Sequence, residues 1–213
     1  MLIHLIKISL ISFLFSFCTF IQASDKINWY SIEYVIFKTN SFNNPYLEPW
    51  TKEPLAIPDN AIALDELSFK NSFKALTPQQ QQLHGVWRRL DKLSSYTPIS
   101  EGGWIQPLKS RGAVTPIIIN NQLTNELLKG TITLRRRRFL HLDIDLQLSE
   151  ETKLVPAQID LMDTTQQTTN YRLKQTRRLK TKELHYFDHP RFGLLIKIEK
   201  IEPPKTNSSS AGT

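Results

Sequence analysis

The sequence predicts an α+β fold: a mainly antiparallel β-sheet with one amphipathic helix packed on a face. Several segments alternate apolar and polar residues as strands do, one segment has helical spacing instead, and 213 residues suit a single domain. We expect a signal peptide at residues 1–23, the domain over residues 24–202, and a disordered tail, rich in Pro and Ser, over residues 203–213.

The first 23 residues have the organisation of a secretory signal peptide: Lys7 near the start, an apolar run over residues 8–21, and the small residue Ala23 at the exit. The run is too short for a comfortable membrane span, so we expect no stable membrane insertion after cleavage. The one cysteine, Cys18, lies within the run, so the mature chain has no disulfide. Removing Lys7 from the 27 basic residues leaves 26 against 20 acidic ones, a net charge of +6. We expect anionic partners other than nucleic acids, because an exported protein rarely meets those.

The strands of the sheet are predicted from alternation. Residues 29–37 are aromatic and β-branched with one apolar parity, and residues 130–148 keep a single parity throughout. The second segment is too long for one straight strand, so we expect a bend or bulge near its four arginines, two of which point to each side. Residues 156–162 are a further possible strand. The main strands are expected around Trp29, Thr131, Leu140, Tyr171 and Leu194.

The predicted helix begins at Thr77, with Pro78 at its first position and Gln80 in capping-box spacing. We expect the apolar stripe that follows to pack on the sheet, with Trp87 in the core. His84 should be a solvated or capping histidine rather than a ligand. The stripe consists of Leu83, Val86, Trp87, Leu90 and Leu93.

Two segments rich in Pro are predicted to be loops. Residues 40–58 include Trp50 among several prolines, which favours a loop aromatic that pins the segment to the body. Residues 95–108 contain two prolines and a Gly-Gly pair, so we expect a loop that presents Tyr96 and Trp104. Trp104 is therefore a secondary candidate for stacking on a sugar ring.

Residues 183–198, ELHYFDHPRFGLLIKI, combine ionisable and aromatic residues with an apolar strand. In an extended backbone, His185 and His189 lie on one face. Pro190 cannot donate to a sheet ladder, and Gly193 gives the chain freedom to re-enter the sheet. The pattern predicts a turn that brings two imidazoles to the rim of a sheet.

A metal site built from His141, His185 and His189, with Asp143 or Asp188, is one catalytic hypothesis, since imidazole and carboxylate bind zinc or iron. The sequence has no HExxH motif, and Pro190 disfavours a helix that would bring His185 and His189 together. A hydrogen-bonded structural cluster is favoured instead. No G-x-S-x-G elbow is present, and a pair such as Asp143 and Asp145 on one strand face is more typical of a charge ladder than of a glycosidase.

The combination of arginines, histidines and aromatic residues favours a binding surface over an enzyme. Arginine binds carboxylates bidentately and aromatic rings stack on sugars, and peptidoglycan offers both groups in one polymer. An adaptor that binds an acidic protein through a flat basic face is an alternative, which requires that Asp143 and Asp145 leave the arginines unpaired. The candidate surface consists of Arg138, His141, Arg177, Arg178, His185, Tyr186 and His189, with Trp104 as a secondary member.

Several motifs, taken in order, resemble the CsiV-type peptidoglycan-binding proteins of gammaproteobacteria over essentially the whole mature chain. These are YTP at residues 96–98, WIQP at 104–107, RFLH at 138–141, the pair Arg177-Arg178, and HYFDHPRFG at 185–193, which is the most specific. The resemblance implies a periplasmic, non-enzymatic protein that needs no cofactor, binds peptidoglycan and supports cell shape. It also implies assistance to a penicillin-binding synthase that a lipoprotein activates. An exported metal-dependent hydrolase using His141, His185 and His189 remains the enzymatic alternative.

Overall fold

The computed structural model of the chain describes residues 26–40, 54–64, 73–110, 112–153 and 166–204. The predicted signal peptide, Trp50, the possible strand at 156–162 and the tail beyond residue 204 lie outside these residues. The elements are β1 (Asn28–Thr39), β2 (Ile62–Ala63), β3 (Lys74–Ala75), a 3₁₀ turn (Pro78–Gln80), α1 (His84–Leu90), β4 (Tyr96–Leu108), β5 (Ile117–Gln122), β6 (Glu126–Arg136), β7 (Leu140–Lys153), β8 (Gln166–Leu179), β9 (Leu184–Asp188) and β10 (Phe192–Ile201).

The strands form two five-stranded sheets. The first sheet has the order β3-β4-β1-β10-β9 and the second has the order β2-β5-β6-β7-β8. Strand pairs are antiparallel except for the short parallel contact between β2 and β5. The predicted α+β class with a mainly antiparallel sheet is confirmed, and strands are present around Trp29, Thr131, Leu140, Tyr171 and Leu194 as predicted, although they divide between two sheets rather than one.

The core lies between the inner faces of the two sheets. Because side chains alternate along a strand, each long strand contributes every second residue. From β1 these are Tyr30, Ile32, Tyr34 and Ile36, and the opposing sheet supplies a matching apolar set that is almost completely buried. That set is Leu128, Ile132, Leu134, Leu142, Ile144, Leu146, Leu148, Tyr171, Leu173 and Leu179. None of the helices in the described parts of the chain has the length and hydrophobicity of a membrane span.

The four arginines lie where the chain reverses completely, so the prediction of a bend or bulge was wrong. Strand β6 ends at Arg136, β7 begins at Leu140, and these two residues are partners in the ladder. A three-residue turn separates partners by four positions, which preserves the parity of the alternation. The sequence therefore looks like one uninterrupted strand although it is a hairpin.

Residues 96–108 form strand β4, so the prediction of a loop that presents Trp104 was wrong. The strand pairs with β1 along its whole length, and the register shifts next to Pro98. The Gly-Gly pair provides room rather than a turn: a Cβ on Gly102 would meet the Tyr34 ring at 2.9 Å. Trp104 is fully buried, and its Nε1 donates to Gln106 Oε1 at 2.6 Å. This indole cannot stack on a sugar, so Trp104 is removed from the candidate surface.

The helix lies against the outer face of the first sheet, where it contacts β4 and β1. The buried carboxylate of Glu33 anchors it by accepting a hydrogen bond from the backbone N–H of Leu83 at 3.0 Å. The capping interaction at Thr77 is present, but it caps the 3₁₀ turn, and α1 begins only at His84. Since so short a helix covers little of the sheet, Trp87 is only partly buried and Leu93 is half-exposed. The prediction that Trp87 belongs to the core was therefore wrong.

Candidate functional site

The outer face of the second sheet is polar. Three rows of ladder partners cross β6, β7 and β8 there, and their residues alternate with the apolar residues of the core. A shallow groove of about 470 Å³ runs over the middle of this face. We call it the polar face; it consists of Thr131, Asp145 and Lys174, then Thr133, Asp143 and Thr176, then Arg135, His141 and Arg178.

Two carboxylates of this region are held by arginines. Arg135 binds Asp143 bidentately, with Nη2 3.1 Å from Oδ1, and Thr176 Oγ1 donates to the same oxygen at 2.6 Å. Arg172 binds Asp145 bidentately at 2.7 and 2.8 Å. Burial alone would raise the pKa of Asp143, but the hydrogen bonds from Arg135 and Thr176 outweigh it and lower that pKa.

These pairs confirm the predicted charge ladder. They also remove the uniform basic face on which the adaptor hypothesis depended, because Asp143 and Asp145 each neutralise an arginine. Carboxylates that are engaged in this way are poorly placed to act as the acid and base of a hydrolase.

One end of the polar face carries an exposed aromatic ring surrounded by cations. The Arg178 guanidinium carbon lies 3.3 Å from the centroid of the Phe139 ring, and that of Arg138 lies 5.3 Å from it. His141 Nδ1 donates to the carbonyl oxygen of Phe139 at 3.2 Å. Phe139 itself is 37% exposed at the tip of the β6–β7 hairpin. We call these four residues, Arg138, Phe139, His141 and Arg178, the Phe139 cluster.

The cluster brings together three of the residues predicted from the sequence and adds Phe139, which was missed. Within the described parts of the chain, neither Arg138 nor Arg178 has a carboxylate at ion-pair distance. The sequence signal for Phe139 was an aromatic residue directly after a run of arginines. Because the hairpin was not recognised from the sequence, Phe139 was assigned to a strand rather than to an exposed turn.

Arg177 does not belong to this cluster, because it projects from the opposite side of β8. Its Nη1 donates to the carbonyl oxygen of Tyr186 at 2.8 Å, and its guanidinium carbon lies 4.3 Å from the centroid of the Phe187 ring. Strands β8 and β9 are edge strands of different sheets. Arg177 therefore links the two sheets at their edges, which is a structural role.

Tyr186 lies on the outer face of the first sheet, away from the polar face. Its ring stacks on Phe37 with a centroid distance of 6.1 Å, and Tyr96 packs edge-on against Phe37 at 5.2 Å. The Tyr186 hydroxyl donates to Asp188 Oδ1 at 2.6 Å. Burial first, and then the neighbouring Asp188 carboxylate, raise the pKa of Tyr186. Tyr186 remains exposed, but it cannot join the Phe139 cluster in one contact surface.

The two histidines of the β9–β10 hairpin are held by nearby groups. Both share the face of buried Phe187, as the alternation predicted. His185 Nε2 donates to the carbonyl oxygen of Lys180 at 2.9 Å. His189 Nδ1 accepts from the backbone N–H of Arg191 at 3.1 Å, and its ring packs on Phe192. The described residues contain no group of three His, Cys, Asp or Glu that could hold a metal ion, so the site of the hydrolase hypothesis is not formed there.

Comparison with known proteins identifies one family. The family model described as "Peptidoglycan-binding protein, CsiV" matches residues 5–201. Neither the curated proteins nor the solved structures contain a match. The resemblance found in the sequence motifs is thereby confirmed over nearly the whole chain.

Proposed function

We propose that this chain, which belongs to the CsiV family of peptidoglycan-binding proteins, binds peptidoglycan through the Phe139 cluster. The proposal extends to its setting: a periplasmic, non-enzymatic protein that supports wall synthesis and cell shape by assisting a penicillin-binding synthase or the lipoprotein that activates it. The predicted signal peptide and the family support this setting.

The observation that carries the proposal is the stacking of Arg178 on Phe139. A guanidinium that stacks through its flat face keeps its N–H groups free in the plane, where they can bind carboxylates. Arg138 adds a second cation, whereas Arg135 is already neutralised by Asp143. The exposed part of Phe139 offers an apolar surface to a sugar ring. Peptidoglycan contains sugars and carboxylates side by side, which this arrangement suits.

A net positive charge attracts any anionic polymer, so the experiment must separate binding at a specific site from the effect of the overall net charge. The mature protein is sedimented with purified sacculi over a salt series, together with the double variant Arg138→Ala/Arg178→Ala. The matched control is Arg88→Ala/Arg89→Ala, which removes the same charge from two exposed positions on α1.

We expect the double variant in the Phe139 cluster to bind about tenfold or more weakly, as for the loss of two charge-assisted contacts, and the control to change less than about twofold. Diffuse electrostatic attraction between exposed charges is screened at moderate salt. Wild-type binding should survive there, because it depends on specific contacts in the Phe139 cluster. Equal losses in the two double variants, or release of the wild type at modest salt, would show that net charge explains the contact and would remove the Phe139 cluster from consideration.

A further inference from the structure

A large cleft opens between the two sheets on the inner side of the β6–β7 hairpin. It has a volume of about 1300 Å³, above the roughly 300–1,000 Å³ of an ordinary small-molecule pocket. Leu108 of the first sheet and Phe73 supply buried apolar lining, Trp29 adds a partly buried ring, and the arginines of the hairpin also line the cleft. The cleft therefore has room for an extended oligomer rather than for a single small molecule.

The charge of the cleft is strongly positive. Residues 135–138 and Lys109 line it, and no Asp or Glu does so within the described part of the chain. Arg135 is neutralised by Asp143 on the outer side of the hairpin, which leaves Arg136 as the cation that faces the cleft from the inner side. The ligand that suits this lining is anionic and carries small apolar groups.

Arg136 is the residue that defines the site. It follows buried Leu134 by two positions, so its side chain points between the sheets, and its charge partly offsets the burial that raises the pKa of Tyr30. Its Nη1 is buried without a hydrogen-bond partner among the residues that the structure describes. A buried guanidinium N–H left unpaired is costly, and such groups in a native fold call for an explanation. A carboxylate bound in the cleft would pair with it.

We infer that this cleft binds a peptide carboxylate of the wall polymer, with Arg136 as its partner and the apolar lining against the peptide's methyl groups. The inference rests on the proposed function, because peptide carboxylates are the anionic groups that peptidoglycan brings to the protein. It assigns the two sides of one hairpin to two parts of the ligand: the Phe139 cluster to the glycan strand and its nearby carboxylates, and the inner cleft to the end of the peptide.

The test uses calorimetric titration of the mature protein with soluble disaccharide-peptide fragments released from sacculi. The fragments are used with free carboxyl groups and with those groups converted to amides. The variant is Arg136→Gln, which keeps a polar side chain with N–H donors but is shorter and removes the charge, and Arg88→Gln on α1 is the matched control. Unfolding of each variant is measured in parallel.

We expect amidation to weaken binding to the wild type about tenfold, and Arg136→Gln to weaken binding of the free fragment by a similar factor. The two losses should not add, because each removes the same contact, so the amidated fragment should bind both proteins alike. Equal affinity of the wild type for free and amidated fragments would overturn the inference, and so would a free fragment that binds Arg136→Gln as tightly as the wild type. If that variant does not fold, equal affinity of the wild type for free and amidated fragments still overturns the inference.

The two proposals fail in different ways. A wild type that does not sediment with intact sacculi would overturn the proposed function itself. A wild type that sediments equally well with intact sacculi and with sacculi stripped of their peptides would leave the proposed function standing and would overturn only the assignment of the cleft.

Discussion

The guanidinium of Arg177 lies over the ring of Phe187, 4.3 Å from its centroid, although the two residues belong to different sheets. Its neighbour Arg178 contacts Phe139 on the other side of β8. Two adjacent arginines thus have different roles, one in holding the sheets together and one on the surface that we propose for binding. Replacing both at once would mix a loss of stability with a loss of binding.

Arg177→Ala should lower the free energy of unfolding by about 1–2 kcal/mol, because it removes a cation–π contact and the hydrogen bond to the carbonyl oxygen of Tyr186. Arg178→Ala should cost less, about 0.5 kcal/mol, since it removes a cation–π contact with a ring that is itself exposed at a hairpin tip and that links no two sheets. Urea unfolding of the two variants measures the difference. Equal stability of the two variants would show that the contact between Arg177 and Phe187 does not link the sheets.

Phe139→Ala should weaken binding to sacculi about tenfold while the fold remains intact. The ring is exposed at the hairpin tip, so little core packing is lost, but Arg138 and Arg178 lose the surface that orients them. Leu93→Ala is the control, because Leu93 is also an exposed apolar side chain. It follows α1, which packs on the first sheet, away from the Phe139 cluster on the second sheet. Sedimentation with sacculi and thermal unfolding are measured together. Binding equal to that of the control would argue against an ordering role for the ring.

The fold was predictable where the decisive signal is local. Alternation placed the strands around Trp29 and Leu194 correctly, since the period of two is a property of each strand by itself. It could not reveal the β6–β7 hairpin, because a three-residue turn leaves the alternation unbroken. It also gave the wrong structure for β4: the Gly-Gly pair was read as a turn, whereas Gly102 is needed to admit the ring of Tyr34.

The site was predictable only in part because its assembly depends on strand register. Arg138, His141 and Arg178 were predicted, and they meet only because His141 and Arg178 are partners across β7 and β8. Nothing in the linear sequence fixes that register. Trp104 was predicted to stack on sugars because of its residue type, but it is fully buried in the structure. Arg136 was indistinguishable from its three neighbouring arginines until the hairpin placed it between the sheets.

The wild type should lose stability at alkaline pH through buried tyrosines. Burial raises the pKa of Tyr34 to about 12, against 10.0 ordinarily, with a smaller opposing effect of its hydrogen bond to Ser100. Because the folded pKa is the higher one, the contribution is complete below pH 10 and is lost as the pH rises from about 10 to about 12. The loss from this residue is on the order of 2 kcal/mol.

Tyr34→Phe isolates that contribution, since it removes the ionisable group and keeps the ring in the core. The variant should differ little from the wild type at pH 8, apart from the lost hydrogen bond to Ser100, and should lose less stability between pH 10 and pH 12. The free energy of unfolding is measured across this range for both proteins. Parallel curves would show that Tyr34 ionises alike in the folded and unfolded states.

Gly193→Ala should destabilise the fold by about 1–3 kcal/mol, because its backbone is covered by two aromatic rings. An added Cβ would lie 2.7 Å from Tyr186 Cε2 and 2.8 Å from Phe37 Cζ, so the stacked rings would have to separate. Gly85→Ala in α1 is the matched control: nothing lies within 4 Å of its added Cβ, and alanine favours a helix by roughly 1 kcal/mol. The two substitutions should therefore change the midpoint of urea unfolding in opposite directions. A neutral Gly193→Ala would mean that Tyr186 does not rest on this glycine in solution, and its exposed ring would then be free to move.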